Sequence, residues 1–323
     1  MRSTASRRGA LAKIGACLLF PRLLFAQDNR RRPSMRDVLF SNQVTLPPAI
    51  RPDPATWDNS TITAAWLGHA TVLINFFGTT IITDPVFSER AGINLLGMFT
   101  LGPRRFVAPA LSLEDLPPID LILLSHAHMD HMDMPSLRRL NKGTPIVIAK
   151  NTLDLLADRG WKNIRELDWG ERTEIAGVTI EGLRVNHFGW RFPWERDRSR
   201  GVWTGRSFNG YLLSRNGKNI VFGGDTAYSE YFRGLADRNL PVDLALLPIG
   251  AYDPWIHVHA NPEQAVAMAN QMKAKAILPI HWGTFRLSYE PVSEPIERLK
   301  RALASHSPAL ALEAIGQTWK LSS

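Results

Sequence analysis

The chain has 323 residues, 45% of them hydrophobic, enough to bury a sizeable core in one large α/β domain or in two smaller ones. Its formal net charge of +8 lies entirely in residues 1–36, which hold nine of the 38 basic residues and one of the 30 acidic residues. From Asp37 onward the charges balance at 29 basic to 29 acidic residues, which argues against a nucleic-acid-binding domain.

The first 29 residues, MRSTASRRGALAKIGACLLFPRLLFAQDN, begin with a basic segment and continue into a short apolar run. The paired Arg7 and Arg8, this run and a candidate cleavage point after Ala26 resemble a bacterial twin-arginine export signal. The resemblance predicts an exported protein, periplasmic or membrane-associated. The alternative is a disordered or membrane-contacting basic tail, because the run from Ile14 to Phe25 is too short to span a bilayer.

Residues 37–323 form the predicted functional domain, which follows the leader and its basic flank. The one cysteine of the chain, Cys17, lies in the leader. The domain therefore has neither a disulfide nor a thiolate ligand, and any metal in it must be held by histidine and carboxylate side chains.

After a proline-rich linker, TLPPAIRPDPATWD, short apolar strands alternate with helical stretches. The predicted strands are TITAAWL, TVLINFF, TIITD, IDLILLS, PIVIA, VTIEGLRV, GYLLS, NIVFGG, DLALLPI and AILPI. The predicted helices are Pro135 to Leu140, Leu153 to Arg159, Glu230 to Arg238, Pro262 to Met272 and Glu294 to Ser305. Several strands are apolar along their whole length, so both faces of their sheet must be covered, which favours a layered α/β fold.

Histidine and aspartate residues crowd the chain directly after the strand IDLILLS, in the sequence HAHMDHMD. His126 and His128 are spaced so that both imidazoles can project to one side of an extended segment and converge on one ion. Asp130 and His131 follow on the turn, offset enough to serve a second ion. A solvated polar loop, the alternative, does not explain so many ligating groups at the end of a buried strand.

Three later strands, in LRVNH, VFGGDT and ILPIHWG, are likewise followed by a residue that can bind a metal. These residues are His187, Asp225 and His281. Ligands gather where strands end, and the two oxygens of Asp225 suit it to bridge two ions about 3.5 to 4 Å apart. The sequence therefore predicts a site for two metal ions.

The HxHxDH pattern, followed by a later His, Asp and His, resembles the metallo-β-lactamase superfamily. The resemblance implies a four-layer αββα sandwich with the site at one edge of its two sheets. It implies two zinc ions, although manganese and iron suit the same donors. The implied ligands are His126, His128 and His187 for the first ion, Asp130, His131 and His281 for the second, and Asp225 as the bridge.

Further segments between residues 57 and 290 resemble the family of N-acyl-phosphatidylethanolamine-hydrolysing phospholipases D. They are WLGHATVLI, ITDPVFS, GPRRF, ELDWG, GDTAYS, PIGAYDP and IHWGTF. This resemblance implies that a metal-activated hydroxide cleaves the phosphodiester of a phospholipid, or of another phosphodiester substrate. It also implies catalytic roles for Asp130 and for His259, which matches the family's histidine near the phosphate although Ala260 and Asn261 follow it in place of Val-Asp.

The remaining histidines receive weaker predictions. His69 in LGHAT is predicted to be a buried, hydrogen-bonded histidine near the metals, with direct ligation as the alternative. His257 alternates with His259 before a predicted helix and could take its place beside the phosphate, unless both lie on a solvent-facing loop. His306, near the C terminus, is predicted to have no role in the site.

The segment from His187 to Phe208 is irregular and contains three tryptophans and five arginines. It is interpreted either as a lid or as a surface excursion with partly buried aromatic rings. In the lid, arginines would bind an anionic head group, and tryptophans would contact an acyl chain or a membrane surface.

The predicted function is a dimetal phosphodiesterase of the phospholipase D type. One alternative is a metal-dependent lactonase similar to the manganese-dependent ascorbate-6-phosphate lactonases, in which hydroxide attacks a carbonyl carbon. The other is a metal-stabilised domain that binds lipid without catalysis.

Overall fold

The computed structural model describes residues 43–95, 99–303 and 308–322, together with Ser34, Arg36, Phe40 and Ser41. The predicted leader therefore lies outside the described residues, as does its basic flank apart from Ser34 and Arg36, and so does His306. Across these described stretches, no helix has the length and apolar character needed to cross a bilayer.

The strands of the described residues alternate with short helices along the chain. The strands are β1 (Ile62–Gly68), β2 (Thr71–Phe76), β3 (Thr79–Thr83), β4 (Ile93–Leu95), β5 (Phe99–Leu101), β6 (Leu121–Leu123), β7 (Ile146–Ala149), β8 (Ile164–Leu167), β9 (Arg172–Ile175), β10 (Val178–Leu183), β11 (Gly210–Arg215), β12 (Lys218–Phe222), β13 (Leu244–Pro248), β14 (Ala276–Ile280), β15 (Ala309–Leu310) and β16 (Thr318–Lys320). The α-helices are α1 (Met134–Arg139), α2 (Arg233–Asp237), α3 (Pro262–Gln271) and α4 (Glu294–Leu303).

Two mixed seven-stranded sheets share one plan. In the first, ordered β16-β1-β2-β3-β6-β7-β8, an antiparallel meander from β1 to β3 is followed by parallel strands. In the second, ordered β15-β14-β13-β12-β11-β10-β9, the meander from β10 to β12 is followed by the parallel strands β13 to β15. A separate hairpin pairs β4 with β5.

The main hydrophobic core draws on both sheets, which confirms the predicted layered α/β fold. Trp66 and Phe76 of the first sheet belong to the same buried cluster as Tyr211 and Phe222 of the second. The Tyr211 hydroxyl also donates a hydrogen bond of 2.8 Å to the carbonyl of Leu124, next to β6. Strands such as β1, β2 and β13 are buried along their whole length, because both faces of each sheet are covered.

Helix α3 begins with a capping box. The Asn261 side chain accepts from the backbone N–H of Gln264, the Gln264 side chain accepts from that of Asn261, and Pro262 opens the helix. The helix then packs against β13 and α4. Its N-terminal end follows the loop that carries His259, so the cap helps to fix that loop.

The predicted helix from Leu153 to Arg159 is wrong. The segment forms two short 3₁₀ turns, Leu153–Leu155 and Ala157–Arg159, and Leu156 between them has a non-helical φ of −121°. The Glu166 carboxylate on β8 accepts hydrogen bonds from the N–H groups of Thr152 and Leu153 and fixes the start of the first turn. Gly160, at φ 79°, ends the second turn before an α-helix can form.

Candidate metal centre

The predicted ligands converge at one edge of the molecule because strands of both sheets end there. His126 to His131 follow β6 of the first sheet. His187, Asp225 and His281 follow β10, β12 and β14, which run in one direction in the second sheet. The structure thus brings together all seven residues that the sequence predicted as ligands.

Four of these residues form a first cluster, His126, His128, His187 and Asp225, whose ligating atoms all lie within 4.8 Å of one another. The His126 Nε2 atom is 2.8 Å from His128 Nδ1, which is 3.3 Å from His187 Nε2. The Asp225 Oδ2 atom is 3.9 Å from His126 Nε2 and 3.8 Å from His187 Nε2.

A second cluster contains Asp130, His131, His281 and His69. The Oδ2 atom of Asp130 is 3.6 Å from His131 Nε2 and 3.4 Å from His281 Nε2. Asp225 adjoins this cluster too, since its Oδ2 atom is 3.1 Å from the Nε2 atoms of both His131 and His281. One carboxylate oxygen therefore lies between the two clusters, where the predicted bridge belongs.

Several buried polar atoms of the clusters have no hydrogen-bond partner within the described stretches of chain. They are His128 Nε2, His131 Nε2, His281 Nδ1 and Nε2, and Asp225 Oδ1. Such atoms are costly in a folded protein unless a ligand occupies them. Converging imidazole nitrogens and carboxylate oxygens are the donors that divalent zinc prefers, so the residues fit a metal centre.

The electrostatics of the first cluster also suit ligation. Burial lowers the pKa of His126 well below 6.5 and that of His128 to about 3, so both rings are neutral at pH 7. A neutral imidazole is the form that binds a metal ion.

In the second cluster, nearby carboxylates raise the pKa values of His281 and His131. Burial alone would lower the pKa of His281, but Asp225 and Asp130 outweigh it and raise this pKa to about 9. The pKa of His131 is raised for the same reason, because Asp225, Asp130 and Asp84 surround the ring. A field that holds a proton this firmly also attracts a divalent cation.

Asp84 orients His131 and was missed as a functional residue by the sequence analysis. Its Oδ2 atom is 2.6 Å from His131 Nδ1 and accepts the Ser125 hydroxyl at 2.6 Å, while its Oδ1 atom accepts the Ser125 N–H at 2.8 Å. Carboxylates that hold the outer nitrogen of a ligand histidine fix the ring and its tautomer. The available signal was Asp84 itself, which follows β3 just as the ligands follow their strands.

His69, a member of the second cluster, is buried and hydrogen-bonded, as predicted. Its Nε2 atom is 3.1 Å from Asp130 Oδ2, and its backbone N–H donates to the Thr284 hydroxyl at 2.7 Å. His69, Asp84 and His281 adopt left-handed φ angles of 52°, 30° and 63°. Left-handed backbone costs a residue with a side chain about 1–2 kcal/mol, and such strain concentrates at functional sites.

His259 joins the site and His257 does not. The His259 Nδ1 atom is 3.8 Å from Asp225 Oδ2, and with Asp225 and His281 the residue forms a third group of converging ligand atoms. His257 is exposed and belongs to none of these groups, so the alternative role suggested for it is not supported.

The segment Phe188–Phe208 is tied down by hydrogen bonds that its composition did not reveal. Arg198 pairs with Asp168 and Arg206 with Asp154, each through two hydrogen bonds. The predicted role of these two arginines as head-group ligands is therefore wrong, because both are engaged within the protein. Trp194 and Trp203, by contrast, are 79% and 71% exposed.

Comparison with known proteins shows the family to which the chain belongs. Residues 79–282 match the family model described as the beta-lactamase superfamily domain. An uncharacterised protein of Mycobacterium tuberculosis is 32% identical over 280 residues, which cover 84% of this chain and 72% of that protein. The N-acyl-phosphatidylethanolamine-hydrolyzing phospholipase D 1 of Caenorhabditis elegans is 30% identical over 329 residues, which cover 95% of this chain and 88% of that protein.

The fold is also similar to that of a solved structure, a metallo hydrolase from the archaeon Ignicoccus hospitalis. The TM-score is 0.61 at 19% identity, and the match covers 81% of this chain and 99% of that one. These likenesses confirm the predicted metallo-β-lactamase fold. With its two His and Asp clusters, the chain belongs to the β-lactamase superfamily and is a metal-dependent hydrolase.

Proposed function

We propose that this hydrolase is a phosphodiesterase of the phospholipase D type, which cleaves the bond between phosphate and an N-acylated ethanolamine in a phospholipid. The observation that carries the proposal is the match along 95% of the chain to a relative named for that reaction. Two clusters that share Asp225 support it, because paired metal ions are suited to displacement at phosphorus.

We propose two zinc ions as the cofactors, with manganese or iron as alternatives that suit the same donors. Bound divalent ions supply Lewis-acid activation of water and neutralise charge on the phosphoryl oxygens. The residues that would hold them are His126, His128 and His187 for one ion, Asp130, His131 and His281 for the other, and Asp225 for both. We assign Asp130 this ligand role in place of a separate catalytic one, since its carboxylate already faces His69, His131 and His281.

We place His259 beside the phosphate. Its Nδ1 atom is buried without a hydrogen-bond partner in the described part of the chain and points towards the shared Asp225. Burial lowers the pKa of His259 well below 6.5, although Asp225 opposes the shift, so the ring is neutral at pH 7. A neutral ring favours a hydrogen bond to a phosphate oxygen over proton donation by an imidazolium.

A ladder of alternating rings and guanidinium groups at the rim of the site supports contact with lipid. Tyr231, Arg184, Trp169, Arg198 and Trp203 follow one another, with 4.6, 5.1, 4.8 and 4.9 Å between each guanidinium carbon and the ring centroid beside it. We call these five residues the rim ladder. Trp203 and Tyr231, at its ends, are 71% and 44% exposed, and Arg184 is exposed between the rings. Arg198 is largely buried and paired with Asp168, so it supports Trp169 and Trp203 from within and does not face the lipid.

The rim ladder is close to the metal centre. The ring of Phe208 is 5.4 Å from that of Trp169 in the ladder and 6.4 Å from that of His187. Amphipathic rings and arginine side chains favour the interface between a membrane and water. A lipid surface at this rim would bring its phosphodiesters to the ligands, and export, as the leader predicts, would allow the contact at the outer face of a membrane.

Replacing Trp194 and Trp203 with alanine should slow hydrolysis of a vesicle-borne lipid about 30-fold or more and spare a soluble phosphodiester. Burying part of each exposed ring in lipid is worth about 1–2 kcal/mol, and 1.4 kcal/mol corresponds to a factor of ten. Catalytic efficiency on the two substrates measures the effect. The control, Ile50→Ala, removes an exposed apolar side chain beside β16 and should change neither rate. An equal loss on both substrates would contradict a role in lipid contact.

A substrate screen tests the reaction itself. Metal-loaded protein should release phosphatidic acid from vesicles that contain N-acyl-phosphatidylethanolamine, and should also cleave bis(p-nitrophenyl) phosphate, while a simple lactone stays intact. Cleavage of the lactone alone would overturn the proposal in favour of a lactonase. Metal-loaded protein that is inactive on all three substrates would leave lipid binding without catalysis as the function.

A further inference from the structure

Arg191 connects the segment after His187 to the loop that carries the HxHxDH ligands. Its Nη1 atom donates to the carbonyl oxygens of Ala127 at 2.7 Å and of Met132 at 3.0 Å. Ala127 lies between two predicted ligands, and Met132 directly follows a third. One guanidinium nitrogen therefore joins the two ends of the ligand loop.

The carbonyls that Arg191 binds belong to fully buried residues, since neither Ala127 nor Met132 is exposed to solvent. A buried carbonyl needs a hydrogen-bond donor, and a charged donor forms the stronger bond. Burial lowers the pKa of Arg191 to about 10, with Asp133 and Glu195 opposing the shift, so the side chain stays charged at pH 7.

The backbone of Arg191 is itself held in place. The Glu195 carboxylate accepts hydrogen bonds from the N–H groups of Arg191 and Phe192, at 2.6 and 3.1 Å. Glu195 in turn pairs with Arg206 at 2.7 Å. Asp197, fully buried, accepts the N–H of Trp190 at 2.8 Å. The guanidinium thus extends from a fixed backbone and not from a mobile flap.

We infer that Arg191 is a positioning residue for the metal centre, which sets the distance between His187 of the second sheet and His126 and His128 of the first. Arg191 lies four residues after His187, and its side chain reaches the loop from which His128 approaches His187 to 3.3 Å. Two other hydrogen bonds between the sheets, from the Asn209 N–H to the Ser125 carbonyl and from the Tyr211 hydroxyl to the Leu124 carbonyl, reach the chain before His126, whereas Arg191 holds it between and after the ligands. This role of Arg191 concerns the geometry of the metal ligands alone, so it does not depend on which substrate the enzyme cleaves.

The test compares zinc binding by the parent protein with that of Arg191→Met, Arg191→Lys and Arg196→Met. Competition with a fluorescent zinc chelator should show that Arg191→Met binds one of its ions at least about tenfold more weakly, the effect usual for losing a group that orients metal ligands. Arg191→Lys keeps a charged donor and should fall between this variant and the parent. Arg196, exposed on the same segment, is the matched control and should match the parent.

Thermal unfolding in zinc and in chelator separates positioning from a general loss of stability. A positioning role predicts that Arg191→Met gains less stability from zinc than the parent does, because the gain depends on affinity. If the melting temperature falls equally in both conditions and zinc affinity stays within twofold of the parent, the inference is overturned. Should Arg191→Met fail to fold, Arg191→Lys carries the test, and parental zinc affinity in that variant would equally overturn it.

Discussion

Replacing Asp225 with alanine should remove both metal ions and lower the rate of phosphodiester hydrolysis by about 10³-fold or more. Its Oδ2 atom lies between the two clusters, within 3.9 Å of ring nitrogens from both, so its carboxylate is placed to serve both ions of the proposed centre. Metal ions stabilise the transition state by several kcal/mol, and about 4 kcal/mol corresponds to 10³-fold in rate.

Elemental analysis and a rate with bis(p-nitrophenyl) phosphate measure this effect together. His187→Ala is the informative comparison, because His187 belongs to the first cluster alone and its loss should leave one ion bound. If Asp225→Ala retained two ions and the parental rate, the bridging role would be wrong.

Asp84→Asn should weaken metal binding in the second cluster by up to about 100-fold, the upper end for a residue that orients a metal ligand. The substitution keeps the size of the side chain and removes the charge that His131 and Ser125 face. The His131 ring then loses the partner that directs its Nε2 atom towards Asp130 and Asp225. The metal content that survives dialysis against a chelator, together with zinc competition, reports the loss.

Asp243→Asn is the matched control for this experiment. Asp243 is a buried carboxylate that accepts hydrogen bonds from the Asn219 N–H and the Lys275 ammonium group. It precedes β13 and therefore lies at the end of that strand away from the metal centre. Its replacement should lower the melting temperature and leave metal affinity at the parental value. Equal metal loss in both variants would mean that general destabilisation, and not the orientation of His131, causes the effect.

The ligand residues could be predicted because each obeys a local rule. An apolar strand ends and a histidine or aspartate follows, as at His187 and His281, and the ends of strands that run in one direction meet at one edge of a sheet. Such a rule needs only the position of each strand, which its apolar run supplies. The layered fold was predictable for the same reason, since β1 and β13 are apolar throughout.

Residues that act through tertiary hydrogen bonds could not be predicted in this way. Arg191, Arg198 and Arg206 resemble one another in sequence, and nothing local shows that their partners are backbone carbonyls, Asp168 and Asp154. Those partners lie about 30 to 64 residues away in the chain. Composition therefore predicted arginines facing a head group, whereas the fold engages three of them internally.

Short strands at the edges of the sheets were also not predicted from the sequence. Arg165 and Glu166 in β8, and Arg172 and Glu174 in β9, place charges in strands that form the outer limits of the two sheets. Charged side chains protect such edges from pairing with other chains, but they also remove the apolar pattern by which a strand is found. The apolar pattern of the sequence therefore indicates the interior strands of each sheet but not the strands at its borders.

The division of the ligands between two sheets makes metal supply a determinant of how much protein survives. His126 and His128 come from one sheet, and His187 and Asp225 from the other, so the complete first cluster exists only in the folded chain. A ligand that binds the native state alone, present at 1,000 times its Kd, adds about 4 kcal/mol to the free energy of unfolding. That amount is comparable with a large part of the total stability of many domains. A metal-starved cell would thus lose this hydrolase to proteases as well as lose its activity.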